Sequence, residues 1–171
     1  KIKASGAQAV VMWSAGKEAA VVAANAKQLG LTIPLYGSHG NARKEFIAGA
    51  AAAAEGFRFA AGKILIPESY GEGTDGFTVA TDFGDRYKAK YGEAPNTFAG
   101  HAYDALNLIV EAMKRVDGDM TSAAIRDELE ATTGFVGIGG TFNMSAEDHN
   151  GLAATDLNMY EVKNGEWTLA P

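Results

Sequence analysis

Two short loops carry residue types suited to holding a small anion. In the first, Trp13-Ser14-Ala15-Gly16, an apolar run ends in a hydroxyl and small residues just ahead of a helix expected from Lys17. A serine hydroxyl, free backbone N–H groups and the positive end of a helix dipole can together receive a carboxylate. The Trp13 indole offers an aromatic wall beside them. The second loop, Ser38-His39-Gly40, also follows a short apolar run. Its imidazole donates or accepts hydrogen bonds, or becomes positive, but supplies no fixed negative charge near neutral pH. Each loop also has a plainer reading: Trp13 as a buried strand end with Ser14 as a helix cap, and His39 as a solvent-facing loop histidine.

Patterns that suggest catalysis fail on their context, and the sequence reads as a binder rather than an enzyme. Gly71-Glu72-Gly73-Thr74-Asp75-Gly76 spells G-x-G-x-x-G, but two carboxylates inside the loop would repel a pyrophosphate and no βαβ unit follows. Ser14-Ala15-Gly16-Lys17 spells S-x-x-K, yet it lies between strand and helix and lacks the companion β-lactamase motifs. His39, His101 and His149 are far apart without metal-ligand spacing, so neither a metal nor a cofactor is expected. Gly137-Ile138-Gly139-Gly140 reads as a flexible stretch of chain.

The elements that would position the two loops alternate. Ala9 to Trp13 reads as a buried parallel strand, 17–29 as a helix stopped by Gly30, and Ile33 to Gly37 as a second strand. A helix capped by Asn41 then runs to about Ala54, and a strand extends from Phe57 to Ile66. The order β-α-β-α-β with short loops predicts an α/β fold with a parallel, right-handed wound sheet, in which ligands sit beyond the carboxyl ends of the strands. The pattern changes at Pro67, where a polar, Gly-rich connector spans 67–76. Two helices follow without an intervening strand. Phe77, Ala80, Phe83, Tyr87 and Tyr91 form the apolar face of one, and Ala99 to Val116 that of the other. A short helix is expected from Thr121 to about Ala131. Strand pieces then follow at 140–143 and 157–163, with a hairpin turning on Asn164-Gly165. The broad faces of the two long helices exceed what these strands can cover, so a partner sheet must come from elsewhere.

Composition narrows the function classes. The 171 residues carry a net charge of −6 with the Lys and Arg scattered, which leaves no basic patch for nucleic acid. At 47% hydrophobic and 21% charged the chain has a globular balance, and its apolar runs are too short to span a bilayer. It has no cysteine, so neither disulfides nor thiolate chemistry is available.

The order and spacing of these features resemble the periplasmic branched-chain amino-acid binding proteins, type I solute-binding proteins of ABC transporters. Ile2 to Trp13 is similar to a helix end, glycine and buried strand in that family's second lobe, and Ala26 to Ser38 to the next characteristic stretch, followed by Ala54-Glu55-Gly56-Phe57. Tyr87-Lys88-Ala89-Lys90-Tyr91-Gly92 and Ala102-Tyr103-Asp104-Ala105 are similar to its late helices. The likeness covers essentially the whole chain and implies a C-terminal fragment of a two-lobed protein. Residues 1–66 would belong to lobe two, 67–76 to a hinge connector containing Pro67 and Tyr70, 77–140 to helices of lobe one, and 141–171 to a return crossing and terminal strands of lobe two. It further implies a periplasmic or extracellular carrier that clasps a small carboxylate and delivers it to a membrane permease, with a sensory domain of the same fold as the alternative. The ligand contacts implied are Trp13, Ser14, Ala15, Gly16, Ser38, His39 and Gly40. Phe98 matches a pocket position, His101 lies one turn beyond it, and Tyr70 is within reach of the cleft. Amino-acid-binding relatives carry an acidic residue at the position of His39, where it pairs with the ligand ammonium. The histidine here favours an acid without an amine, aromatic or aliphatic. As half of a clasp, the fragment is expected to bind weakly and to self-associate through its exposed helix faces.

Overall fold

The computed structural model describes residues 1–171, which divide into two compact units. Unit 1 comprises Lys1–Ala61 and Asn158–Pro171; unit 2 is the continuous stretch Gly62–Leu157.

Unit 1 is a wound sheet with helices. Strands β1 (Val10–Met12), β2 (Leu35–Gly37) and β3 (Arg58–Gly62) are parallel, with Val10 opposite Leu35 and Tyr36 opposite Arg58. Helix α1 (Glu18–Gln28) joins β1 to β2, and α2 (Lys44–Ala50) joins β2 to β3. Two strands from the end of the chain complete the sheet in the order β1-β2-β3-β6-β7. These are β6 (Leu157–Lys163) and β7 (Glu166–Leu169), an antiparallel pair turning on Asn164 and Gly165, both in the left-handed region that an Asn-Gly turn requires.

Aromatic side chains on alternate strand positions build the core. Phe57, Phe59 and Tyr160 are fully buried, and their rings form a row from Phe46 (4.4 Å from Phe57) through Phe59 to Tyr160 (5.7 Å). Alanines fill the helix contacts: Ala19, Ala23 and Ala26 of α1 are buried, and Gly49 of α2 lies so close to Ala20 that an added Cβ would be 3.1 Å away. Small residues let the two helices approach one another closely. At one end of the sheet, β1 departs from the buried strand its sequence suggests. No strand lies beyond it, and Val11 is 70% exposed.

Unit 2 is mainly helical. Helices α3 (Asp75–Tyr91), α4 (Thr97–Arg115) and α5 (Ser122–Glu130) are capped by Thr74, Asn96 and Thr121, whose side chains accept from Phe77, Ala99 and Ala124 N–H. A two-stranded hairpin follows, β4 (Phe135–Val136) and β5 (Thr141–Phe142). Its core joins Ile64, Ala80, Phe83 and Ile138, with Tyr70, Tyr87 and Tyr103 packed around them. No helix is long and apolar enough to cross a membrane.

Three local expectations change. The strand from Phe57 stops at Gly62 and gives way to tight 3-10 turns at 63–65 and 67–70. Asn41 does not cap α2, which begins after Arg43. Its side chain is instead buried and accepts from Ser38 N–H. The glycines of 137–140 are buried rather than loosely held.

Candidate functional site

The two loops at the carboxyl ends of β1 and β2 are joined to one another. Ser38 Oγ donates to Ser14 C=O at 2.5 Å, and Ser38 N–H points to both Met12 C=O (3.2 Å) and Asn41 Oδ1 (3.0 Å). Gly40 lies against Ala15, where a Cβ would come within 2.6 Å of the Ala15 methyl group. Gly37 is equally constrained, because a Cβ there would meet the Phe57 ring at 2.5 Å and the Asn41 carboxamide. The residues from Trp13 to Gly16 and from Ser38 to Gly40 therefore form one ledge, with glycine required at position 40, where the loops pack most tightly.

Side-chain environments on the ledge divide the roles. Trp13 is 87% exposed, which removes the reading of a buried strand end and leaves its ring facing outward from the strand. Ser14 Oγ is buried without a hydrogen-bond partner. It does not cap α1, whose first turn follows Lys17. His39 is half-buried in a single 3-10 turn, His39–Asn41.

One group on the ledge escapes the sequence reading. Glu18 folds back over the start of α1, and its Oε1 accepts from Gly16 N–H at 3.0 Å. Its carboxylate fills the space a Cβ on Gly16 would need. The Gly16 amide expected to await a ligand is thus already satisfied by the chain's own carboxylate. The helix start carries a negative charge as well as the dipole that attracts one. An acidic residue in the first helical turn was the available signal. Its use on Gly16 follows only from the missing side chain there.

Unit 2 holds the remaining candidates. Phe98, 43% exposed on the first turn of α4, is not a core residue. His101 follows one turn later, half-buried, close to Gly139 and electrostatically coupled to Asp104. Pro67 opens the 3-10 turn Pro67–Tyr70, and Tyr70 is anchored. Its ring packs on the unit 2 core and its hydroxyl donates to Ile138 C=O at 2.6 Å. The glycines at 71–76 have local duties: Gly71 and Gly73 take positive φ, and Gly76 leaves room for the Tyr70 ring. Thr74 occupies the start of α3, leaving no phosphate cradle.

A sheet of parallel strands with loops gathered at their carboxyl ends, closed by an antiparallel pair, matches known proteins over nearly its whole length. The family model described as "Periplasmic binding protein" matches residues 1–166. The chain belongs to this family. The fold of this periplasmic binding protein is that of the type I members. Rp1789 of Rhodopseudomonas palustris superposes with a TM-score of 0.89 at 25% identity, over 99% of this chain and 50% of that one. A leucine-binding protein, LivK, from Thermotoga maritima gives 0.78 at 26% identity, over 96% and 44%. The branched-chain amino-acid transporter substrate-binding protein LivJ of Streptococcus pneumoniae, solved with isoleucine, gives 0.75 at 30% identity, over 97% and 45%. The chain spans about half the length of these structures. No curated protein matches it.

Proposed function

We propose that this chain is part of the solute-binding component of an ABC uptake transporter, outside the cytoplasmic membrane, which captures a small carboxylate between two lobes of the complete protein and presents it to a membrane permease. It binds rather than transforms its ligand. The observation that carries this reading is the ledge at the strand ends, where an exposed tryptophan stands beside a buried, unpartnered serine hydroxyl. Ligands of wound sheets settle in this position. The Ser14 hydroxyl would donate to the carboxylate and Trp13 would cover the apolar part of the ligand. His39 replaces the fixed negative charge that would hold an ammonium, which favours aromatic or aliphatic acids over amino acids. Glu18 shifts the carboxylate away from Gly16 and toward Ser14 and His39, since two carboxylates do not share one amide.

The test is a thermal-shift panel of aromatic acids, short aliphatic acids and the branched-chain amino acids. It is run on the complete protein and on the 171-residue chain. A ligand at a hundred times its dissociation constant stabilises the folded state by about 2.7 kcal/mol. Acids are expected to raise the melting temperature of the complete protein, Ser14→Ala to remove most of the shift, and the isolated chain to respond weakly. A response to leucine, isoleucine and valine alone would overturn the reading of His39.

A further inference from the structure

The glycine-rich run Gly137-Ile138-Gly139-Gly140 is the tip of the β4–β5 hairpin, and all four residues are buried. Three parts of unit 2 converge on it. From α4, Asp104 accepts from Ile138 N–H through Oδ1 (2.8 Å) and from Gly139 N–H through Oδ2 (2.7 Å), itself only 2% exposed. From the segment by which the chain enters unit 2, Tyr70 Oη donates to Ile138 C=O at 2.6 Å. Ile138 is thus held at both its N–H and its C=O, while its fully buried side chain joins a core with Ile64, Ala80 and Phe83. From the segment by which the chain leaves, Asp156 accepts from Thr141 N–H (3.3 Å) and Ala153 N–H (2.8 Å).

The glycines are there for the carboxylates. A Cβ on Gly137 would lie 2.8 Å from the Asp104 carboxyl atoms, and one on Gly139 3.1 Å from the His101 ring and 3.3 Å from Asp104. A Cβ on Gly140 would lie 2.5 Å from the Asp156 carboxyl group, and its φ of +144° disfavours any other residue. A sequence that looks pliable is therefore spent on close approach, which is the opposite mechanical property.

We infer that this tip is a clamp that binds the entering segment, α4 and the leaving segment of unit 2 into one rigid body, with Asp104 and Tyr70 as its positioning residues. Pro67 and Tyr70, in the entering segment, are then part of that rigid body. The inference stands on contacts within unit 2 and does not depend on which ligand the protein takes.

Amide hydrogen exchange on the 171-residue chain tests it. The amides to follow are those of Ile138 and Gly139 at the tip, Ser69 and Gly71 on the entering side, and Ala153 and Asp156 on the leaving side, all hydrogen-bonded. Asp104→Ala should accelerate exchange at all three places together, by about tenfold or more. Val10, Ser38 and Val162 in unit 1 should keep their rates. Tyr70→Phe, which keeps the ring and removes one hydroxyl, should accelerate the same set by a smaller factor. Acceleration confined to Ile138 and Gly139 in Asp104→Ala would overturn the clamp, since it would mark only the loss of a local acceptor. Should Asp104→Ala unfold unit 2 outright, Tyr70→Phe decides: a coordinated change across the three segments supports the inference, and an unchanged pattern refutes it.

Discussion

Asp104 is a carboxylate whose surroundings oppose its charge. Loss of hydration on burial pushes its carboxyl above the usual carboxylate range, and the two backbone N–H donors and His101 only partly counter that. Because its folded value lies above the unfolded one, the native state binds this proton more tightly. The stability it confers is full below the unfolded carboxylate range and is lost as pH rises through the raised value. Urea unfolding of the wild type and Asp104→Asn, from neutral pH down to about pH 4, should show the wild type gaining on the variant as pH falls. A constant difference would mean that Asp104 does not titrate in that window. His101 is the other titratable group facing it, and a positive charge there lowers the Asp104 value. Asp104 was legible in part. Buried positions on α4 fall at Thr97, Gly100, Asp104, Leu108 and Ala112, so an acid on that stripe was a signal. Its partners were not legible, because nothing local pairs residue 104 with residues 138 and 139.

Elements were read more securely than their ends. The alternation of strands and helices, the two long helices and the Asn-Gly hairpin all follow from periodicity and turn chemistry, which act over a few residues. Errors fell where a distant group spends a local signal. Asn41 was expected to cap a helix, but the backbone amide of Ser38 takes its carboxamide. The long strand from Phe57 ends early because the chain turns into unit 2 at Gly62. The junction of α4 and α5 depends on one side chain. Arg115 donates to Glu128 Oε2 (3.1 Å), Glu128 C=O (2.6 Å) and Thr132 Oγ1 (2.8 Å). Only the planar fork of arginine reaches three acceptors in this arrangement. Arg115→Lys should therefore lose almost as much stability as Arg115→Ala, about 1 kcal/mol in urea unfolding. A lysine variant as stable as the wild type would show that charge alone suffices.

At the scale of the whole molecule, apolar surface is left open in both units. Along α4, Phe98, Leu106, Ile109 and Val110 are 38–63% exposed. In unit 1, Ile2, Val10, Val22, Leu29 and Leu35 line a groove of about 570 Å³. Patches of this kind drive association. Sedimentation velocity should detect self-association of the 171-residue chain as concentration rises, and Leu106→Glu with Ile109→Glu should reduce it. Monomeric behaviour at all concentrations would contradict the expectation. Unit 1 has a further property, in that its sheet is assembled from two stretches separated by the whole of unit 2. The bonds between Phe57 C=O and Val162 N–H, and between Gly56 N–H and Val162 C=O, span more than a hundred residues. Contacts that distant are slow to form. On a ribosome, β3 therefore emerges well before the strand that will flank it. The sheet that carries Trp13 and Ser14 is complete only once β6 and β7 are in place. A product stopped short of β6 would leave the Phe59 ring without Tyr160 and Trp167, whose centroids lie 5.7 and 6.1 Å from it.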